Sequence, residues 1–300
     1  MDVSLLIVNY NTRELLRQCL ASIIKETINI SYEIIVIDND SSDGSLKMIK
    51  TDFPEVKIIK SNINLGFGKA NNLGIAKSSG KYIFLLNSDT ILLNNAVLLF
   101  FRYMETYNSD ESIGAIGGIL LDSAENPTFS SGEFPTIRSE FQYLKKKLNE
   151  RIRGNSKNNI TEFNNILPTN VEYITGADLF ISKKIFDEIG VFDPRFFMYY
   201  EETDLQKRMA DRGYKRLIIP GPRIIHLEGG SINSVSRFSY SRFSLNQKSL
   251  HIYIDKHFKG VQNLLFRLCI ICIRLSVIFD ARFKYIERFQ SVGLILSGKK

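Results

Sequence analysis

The residues of this chain that could do chemistry recur at one kind of place, the polar end of an apolar run. Lys81–Thr90 reads Lys-Tyr-Ile-Phe-Leu-Leu-Asn-Ser-Asp-Thr, so the run Tyr82–Leu86 stops at Asn87-Ser88-Asp89. Glu33–Ile37 likewise stops at Asp38-Asn39-Asp40, and the aromatic-rich Phe192–Tyr200 runs into Glu201-Glu202. His226 follows Ile224-Ile225. A carboxylate held at such a point can bind a hard divalent cation, and the cation can neutralise a diphosphate. Each position also has a purely structural reading. Asp38 suits a turn, Asp89 a helix cap, and the two glutamates the positive end of a helix; His226 could be a satisfied structural imidazole. The chemical reading requires that the fold bring these positions to one edge.

The elements that must do so are legible in the hydrophobic periodicity. Val3–Val8 predicts a strand ending at Asn9-Tyr10-Asn11. A helix follows, capped by Asn11 or Thr12, with Leu15, Leu16, Cys19, Leu20 and Ile23 on one face. Glu33–Ile37 is a second strand, the turn Ser41–Ser45 leads into a helix towards Thr51, and Val56–Lys60 is a third strand. After the loop Asn62–Gly68, Lys69–Lys77 predicts a helix with Ala70, Leu73 and Ala76 inward, and Tyr82–Leu86 is the central strand. Repeated strand–helix alternation with short connections argues a parallel α/β sheet, which places ligands beyond the carboxyl ends of its strands.

Further on, Leu92–Tyr107 reads as a helix and Ile113–Leu121 as a strand. Residues 123–170 read as an insertion, with a basic helix around Tyr143–Arg153. Regularity returns with Tyr173–Thr175, the strand Leu179–Ser182, and the helix Lys183–Ile189 closed by Gly190. Glu201 opens a helix through Arg212, and Arg216–Ile219 is a strand ending before Pro220. Two nucleotide-binding classes are excluded. No Gly-x-Gly-x-x-Gly follows the first strand, and no Walker phosphate loop occurs.

At 300 residues the chain can bury a sizeable core, and 44% hydrophobic with 24% charged residues is ordinary for a globular protein. Three cysteines make no disulfide framework and point to a reducing compartment; Cys269 and Cys272 lie in an apolar run and are expected to be buried. The chain opens directly on an apolar strand, so no signal peptide is expected. The net charge of +7 is unevenly placed: from Arg237 onward there are 12 Lys+Arg against 3 Asp+Glu, leaving the rest of the chain at −2. Basic residues among long apolar runs fit an anionic membrane surface better than nucleic acid.

Taken together, the motifs resemble the inverting nucleotide-sugar glycosyltransferases of family 2, over about Val3 to Ser231. The resemblance rests on Val8–Asn11, Val36–Ser45, Asn64–Gly74, Leu86–Asp89, Thr175–Ala177 and Phe192–Leu205, in that order. The overall pattern is closest to rhamnosyltransferase-like members of bacterial surface polysaccharide synthesis. It implies a GT-A fold, an α/β architecture with a mostly parallel central sheet flanked by helices, over residues 1–236. A C-terminal helical appendage follows over residues 237–300. It implies a UDP- or dTDP-sugar donor, dTDP-rhamnose among them, and a glycan or polyprenyl-linked glycan acceptor. Asn9, Tyr10, Asn11, Asp38, Asn39, Asn64, Gly66, Lys69, Asn72, Asn87 and Ser88 would contact the nucleotide, and Gly176, Ala177 and Asp178 the acceptor or sugar. Asp89 and His226 would hold Mn²⁺ or Mg²⁺, the imidazole favouring Mn²⁺. Glu202 would be the base, with Glu201 raising its proton affinity if their side chains converge. Two departures stand out: Asn87 replaces a metal-binding carboxylate, and Glu202 stands where the family usually has Asp.

Two alternatives are weighed against this. A sugar-phosphate nucleotidyltransferase would need a Gly- and Arg-rich phosphate loop after the first strand, which is absent. A glycan-binding scaffold on the same fold has Asn87 and Glu202 as its support. In the tail, Leu264–Phe279 is apolar, but Arg267 and Arg274 interrupt it on one face shared with Asn263 and Lys256. Each central Arg costs about 2.5–3.5 kcal/mol on insertion, so a spanning helix is disfavoured. The expectation is a helix lying on the inner face of the cell membrane with both arginines in the headgroup layer, in an otherwise cytoplasmic protein. The competing expectation is a helix packed on protein or pairing two copies of the chain.

Overall fold

The computed structural model describes residues 1–107, 112–142, 167–227, 240–275 and 284–297. They group into two compact units. The first draws on Met1–Gly132, Ile160–Pro194 and Glu202–Ser234, and the second on Glu133–Asn159, Arg195–Glu201 and Val235–Lys300. The expected basic helix around Tyr143–Arg153 lies outside the described residues.

The first unit opens with the alternation read from the sequence: β1 (Val3–Asn9), α1 (Arg13–Glu26), β2 (Tyr32–Asn39), α2 (Ser45–Asp52), β3 (Lys57–Ser61), α3 (Phe67–Lys77) and β4 (Tyr82–Asn87). Then come β5 (Thr90–Leu92), α4 (Ala96–Thr106), β6 (Ile113–Leu121), β7 (Ser131–Gly132), β8 (Thr169–Asn170), β9 (Tyr173–Ile174), β10 (Asp178–Ser182), α5 (Lys183–Ile189), α6 (Glu201–Asp211) and β11 (Lys215–His226). The main sheet runs β3-β2-β1-β4-β10-β6-β11-β5, with β8 also paired to β11. β1 to β4 are mutually parallel, as are β6 and β11. β10 is antiparallel to both β4 and β6. Its direction follows from its entry point. Ala177, just before β10, bonds through its carbonyl to the Asn87 N–H at the end of β4 at 3.1 Å, so the chain can only run back.

Alternation along the strands divides the core into two layers. Val3, Leu5 and Ile7 face α1, α2 and α4, whereas Leu6 packs in the layer with α3, α5 and α6. Beneath α4 the rings of Tyr82 and Phe180 stack at 5.2 Å, Phe180 and Phe100 at 5.5 Å, and Phe84 meets Phe100 at 5.3 Å. Removing one such ring costs about 3–5 kcal/mol.

The structure departs from the sequence reading at particular points. In α3 the inward positions are Ala70, Asn71, Gly74 and Ile75, while Leu73 and Ala76 are exposed. Gly74 sets this phase, because a Cβ there would lie 2.9 Å from Ile37. The stretch read as one helix from Leu92 begins as strand β5, and the helix starts only at Ala96, where Asn95 accepts the Leu98 N–H at 3.3 Å. β11 does not stop before Pro220; it continues to His226 through a register shift between Ile218 and Arg223, which accommodates a residue with no N–H.

In the second unit, α7 (Tyr240–His257), α8 (Gly260–Arg274) and α9 (Tyr285–Ser297) form the tail. Leu250, Ile254, Phe266 and Ile270 are its core, and Tyr200, Ile137 and Phe258 pack against them. The arginines of α8 turn inward, contrary to expectation. Arg267 donates to Asp255 at 2.6 Å, to Asn263 at 2.9 Å and to His251 Nδ1 at 2.8 Å. Arg274 donates to Gln247 at 2.8 Å and to Asn246 at 3.3 Å. Burial and the Arg267 charge both hold the His251 pKa below its ordinary value, so neutral His251 accepts from that guanidinium. Cys269 is buried, but Cys272 is exposed, on the same side of the helix as Leu265 and Leu268. Among the described residues no helix is long and apolar enough to cross a membrane.

Candidate active site

Register sets the site. β1 and β2 align Asn9 with Asp38, and β1 and β4 align Val8 with Asn87. Three strands therefore end at one sheet edge, each on a polar residue. Asn9 and Asp38 are fully buried there. The Asn9 Nδ2 donates to Asp38 Oδ1 at 3.0 Å and to Ser41 Oγ at 2.9 Å, and the Ser41 N–H donates to the other Asp38 oxygen at 3.2 Å. Thr12 does not use its hydroxyl to cap α1. That oxygen lies 2.7 Å from Asn9 Oδ1 and 2.9 Å from Ser88 Oγ, tying the first strand end to the central one.

Around this frame the backbone is forced into turns. Asn11 has φ 56° and Asp40 φ 71°, left-handed positions that Asn and Asp tolerate better than most residues. The Asn11 carboxamide accepts the Ser42 N–H at 2.8 Å. Tyr10 and Asn11 are exposed beside it. Asn39 Nδ2 donates to Asn64 Oδ1 at 2.9 Å and its Oδ1 accepts the Leu65 N–H at 2.8 Å; Asn64 also takes the Gly66 N–H at 3.0 Å. These residues shape the entry to α3, where Lys69 stands exposed in the first turn. Asn72 is turned elsewhere. Its carboxamide donates to the Phe192 carbonyl at 2.8 Å and accepts the Phe192 N–H at 3.0 Å, so it fixes the segment that leads to α6.

Asp89 lies just beyond β4 and is buried. β5 then pairs antiparallel with β11, placing Thr90 opposite His226. This pairing brings His226 Nε2 to 3.3 Å from Asp89 Oδ1 and 3.4 Å from the Asn87 carboxamide nitrogen. One carboxylate oxygen from the turn after β4 and one imidazole nitrogen from the end of β11 suit a divalent cation of borderline hardness. Among the described residues no group of three or more His, Cys, Asp or Glu forms, so within them Asp89 and His226 are the two donors that meet here, and Asn87 adds no charge. Cys19 is nearby but unreactive: burial pushes its thiol up to about 12, its hydrogen bond to Thr90 opposing the shift and the Asp89 charge adding to it.

The second half of the site is reached through Thr175-Gly176-Ala177. The Ala177 carbonyl holds the Asn87 N–H, and a Cβ on Gly176 would lie 3.8 Å from Glu202 Cβ and 3.3 Å from the Phe67 ring. Glu202 sits in the first turn of α6, its carboxyl receiving N–H groups of Glu202 and Thr203. Burial outweighs those bonds and raises its pKa above the ordinary Glu value. Glu201 is buried at the start of the same helix. Gln206 was not singled out from the sequence. It lies one turn after Glu202 and clamps the strand before Gly176, accepting the Ile174 N–H at 2.8 Å and donating to the Ile174 carbonyl at 2.7 Å. Its signal was the i, i+4 spacing from a candidate base.

Asp178 faces inward. It is fully buried between β4 and β6, and Gly118 N–H donates to its Oδ2 at 2.7 Å. Gly118 leaves it room, since a Cβ there would come to 3.3 Å of that oxygen. Burial lifts its pKa well above the free-carboxyl value, which favours the neutral form, and the group belongs to the sheet rather than to the open edge.

A family model described as Glycosyl transferase family 2 matches residues 4–190. Over 245 residues the chain is 23% identical to the N-acetylglucosaminyl-diphospho-decaprenol L-rhamnosyltransferase of Mycobacterium tuberculosis, covering 75% of each chain. It is 27% identical over 203 residues to the rhamnosyltransferase WbbL of Escherichia coli, covering 65% of this chain and 72% of that one. The mannosyltransferase PcManGT from Pyrobaculum calidifontis, solved in complex with GDP-Man and Mn2+, superposes with a TM-score of 0.56 at 13% identity. That match covers 99% of this chain and 81% of the other, and it is a likeness of fold, which is GT-A-like. The family match spans more than half of the sequence: the chain belongs to glycosyl transferase family 2.

Proposed function

We propose that this family 2 glycosyltransferase moves a sugar, with inversion, from a UDP- or dTDP-sugar to a hydroxyl of a lipid-linked glycan in cell-surface polysaccharide synthesis. Its similarity to two rhamnosyltransferases makes dTDP-rhamnose the first donor to test. The observation that carries the reading is Asp89 and His226 meeting at 3.3 Å beyond the central strand. The Gly176-Ala177 turn leads from that strand end to Glu202.

In this reading Glu202 takes the proton from the acceptor hydroxyl. The acceptor oxygen forms its bond to the anomeric carbon as the bond from that carbon to the diphosphate oxygen breaks, its electron pair leaving with the diphosphate. Burial raises the proton affinity of Glu202, which suits a base working near neutral pH. Asp89 and His226 would hold Mn²⁺ or Mg²⁺, which when bound would offset charge on the departing diphosphate. Asn9, Asp38 and Ser41 form the buried frame of the nucleotide side, and Tyr10, Asn11 and Lys69 are its exposed members. Asn72 and Asp178 act as positioning residues, holding Phe192 and the sheet beside the turn. A lipid-borne acceptor places the reaction at a membrane, and the three free cysteines suit its cytoplasmic side.

The test is release of nucleoside diphosphate from candidate donors with and without Mn²⁺. Asp89→Ala is expected to abolish turnover and to remove the Mn²⁺-dependent rise in melting temperature with nucleotide, while the protein stays folded. Full wild-type activity in excess EDTA would remove the metal from the reaction.

A further inference from the structure

Helix α8 is amphipathic with its faces exchanged. At about 100° per residue, Val261, Leu264, Leu265 and Leu268 fall within one narrow stripe. That stripe is exposed: Val261 at 70%, Leu264 at 57%, Leu265 at 52% and Leu268 at 48%. The opposite side buries Phe266, Cys269, Ile270 and Ile273. Arg267 and Arg274, the only charged residues of the helix, are turned to α7 and held there by the bonds described above. A helix that met only water on its free side would carry its charges there and its leucines inside.

Helix α9 repeats the arrangement. Tyr285, Ile286, Phe289 and Leu296 are exposed at 75, 66, 57 and 54%, while Ser291, Leu294 and Ile295 are buried, Ile295 against Ile271 of α8. Contiguous apolar surface of this kind marks a contact surface. Exposed lysines stand at the start of each helix, Lys259 before α8 and Lys284 before α9. The whole tail from Arg237 carries 12 Lys+Arg against 3 Asp+Glu.

We propose that the outward faces of α8 and α9 form a docking surface for an anionic phospholipid bilayer, the helices lying in the plane of its interface. Charge selects this occupant. A second copy of the chain would bring the same cationic surplus against itself, whereas anionic headgroups meet it with the opposite sign. Length sets the orientation. At 1.5 Å per residue, 15 and 13 residues reach only about 20 Å, short of the ~30 Å hydrocarbon core. The leucine stripe and the Tyr285–Phe289 pair enter the acyl boundary, and the lysines remain with the headgroup phosphates. Arg267 and Arg274 take no part in lipid contact; they hold the helix so that its apolar side faces out. The surface is independent of the roles given to Asp89 and Glu202.

The test is co-sedimentation of the full-length protein with vesicles of phosphatidylcholine and phosphatidylglycerol in equal parts, at low and high salt, and with phosphatidylcholine alone. Wild type is expected to pellet with the anionic vesicles, less at high salt, and to stay soluble with neutral ones. Leu264→Gln with Leu268→Gln is expected to weaken partitioning by ~10-fold or more, with melting temperature and nucleotide binding unchanged. Ile63→Gln, at an exposed residue of the first unit, is expected to pellet as wild type does. Wild type left in the supernatant at low salt overturns the proposal, as does a double variant that pellets as well as wild type. Sedimentation velocity without lipid gives the remaining outcome: a dimer that the double variant converts to monomer, with no vesicle binding, makes the stripe a contact between copies and also overturns it.

Discussion

Glu202 and Asp178 are two carboxyls whose pKa burial raises, and their surroundings give them different work. Glu202 has backbone N–H groups at a helix start and lies against Gly176 of the turn before β10. Its carboxylate must be free to take a proton, so turnover is expected to rise with pH through a value above 4.5, the ordinary one for Glu. Glu202→Gln keeps the shape and removes the proposed base; kcat is expected to fall ~10²–10⁴-fold with donor binding kept, measured by single-turnover kinetics and calorimetry. Asp178 has one N–H donor and no open side. Its folded pKa stands above the free value of 3.8, so the folded state binds more protons. The stability from its neutral form is complete below that free value and declines as pH rises through the folded pKa. Asp178→Asn keeps an acceptor for Gly118 and cannot ionise. Its melting temperature is expected to gain on wild type as pH rises from 4 towards 8, which a pH series of thermal melts would check. Asp178→Ala orphans the Gly118 N–H and is expected to lose about 1–3 kcal/mol.

Helix α7 acts on the segment that precedes the candidate base. Tyr199 and Tyr200 have φ of 70° and 65°, a conformation costing a bulky residue about 1–3 kcal/mol when nothing holds it. α7 supplies the hold: Ser249 Oγ donates to the Met198 carbonyl at 2.7 Å, and the Tyr253 ring lies 5.8 Å from that of Tyr200. These contacts end at Tyr200, two residues before Glu202. Tyr253→Ala combined with Ser249→Ala is expected to lower kcat by about 10-fold while leaving donor KM near wild type, because the loss is one of positioning. Tyr253→Phe keeps the ring and is expected to restore the rate. A donor KM that rises in step with the fall in kcat would place the effect on binding instead. The equivalent clamp on the other side of the base is Gln206, whose two bonds to Ile174 were invisible until β9 was placed.

At the scale of the whole molecule, the chain interleaves its two compact units. Residues Arg195–Glu201 belong with the tail, and Glu202 begins the last stretch of the first unit. Truncation before Arg237 is expected to depress kcat as strongly as the paired Tyr253 and Ser249 changes, while dTDP or UDP binding, followed by thermal shift, persists. Wild-type turnover by the truncated chain would show that the Met198–Glu201 segment holds its shape unaided. Elsewhere in the molecule long-range order was readable early. β1, β2 and β4 each emerged within a residue or two of the expected range, and so did β6 and α5.

What the sequence determined by itself was the sheet edge on which the polar strand ends gather. Parallel strands joined by single helices must end on the same side, so Asn9, Asp38 and Asn87 had to be neighbours once Val3–Val8, Glu33–Ile37 and Tyr82–Leu86 were strands. The apolar alternation of those strands settled the two-layered core in the same way. The meeting of His226 with Asp89 was decided only by the fold, since it depends on β5, three residues long and hidden in a helix-like apolar stretch, pairing with β11. So was the fate of Asp178, whose burial follows from β10 running backward between β4 and β6. The tail shows the physical reason most plainly. Periodicity established that Asn263, Arg267 and Arg274 share a face, but a helix does not encode what its face will meet. Partners on α7 satisfied those charges within the protein and left the leucine stripe of α8 outside.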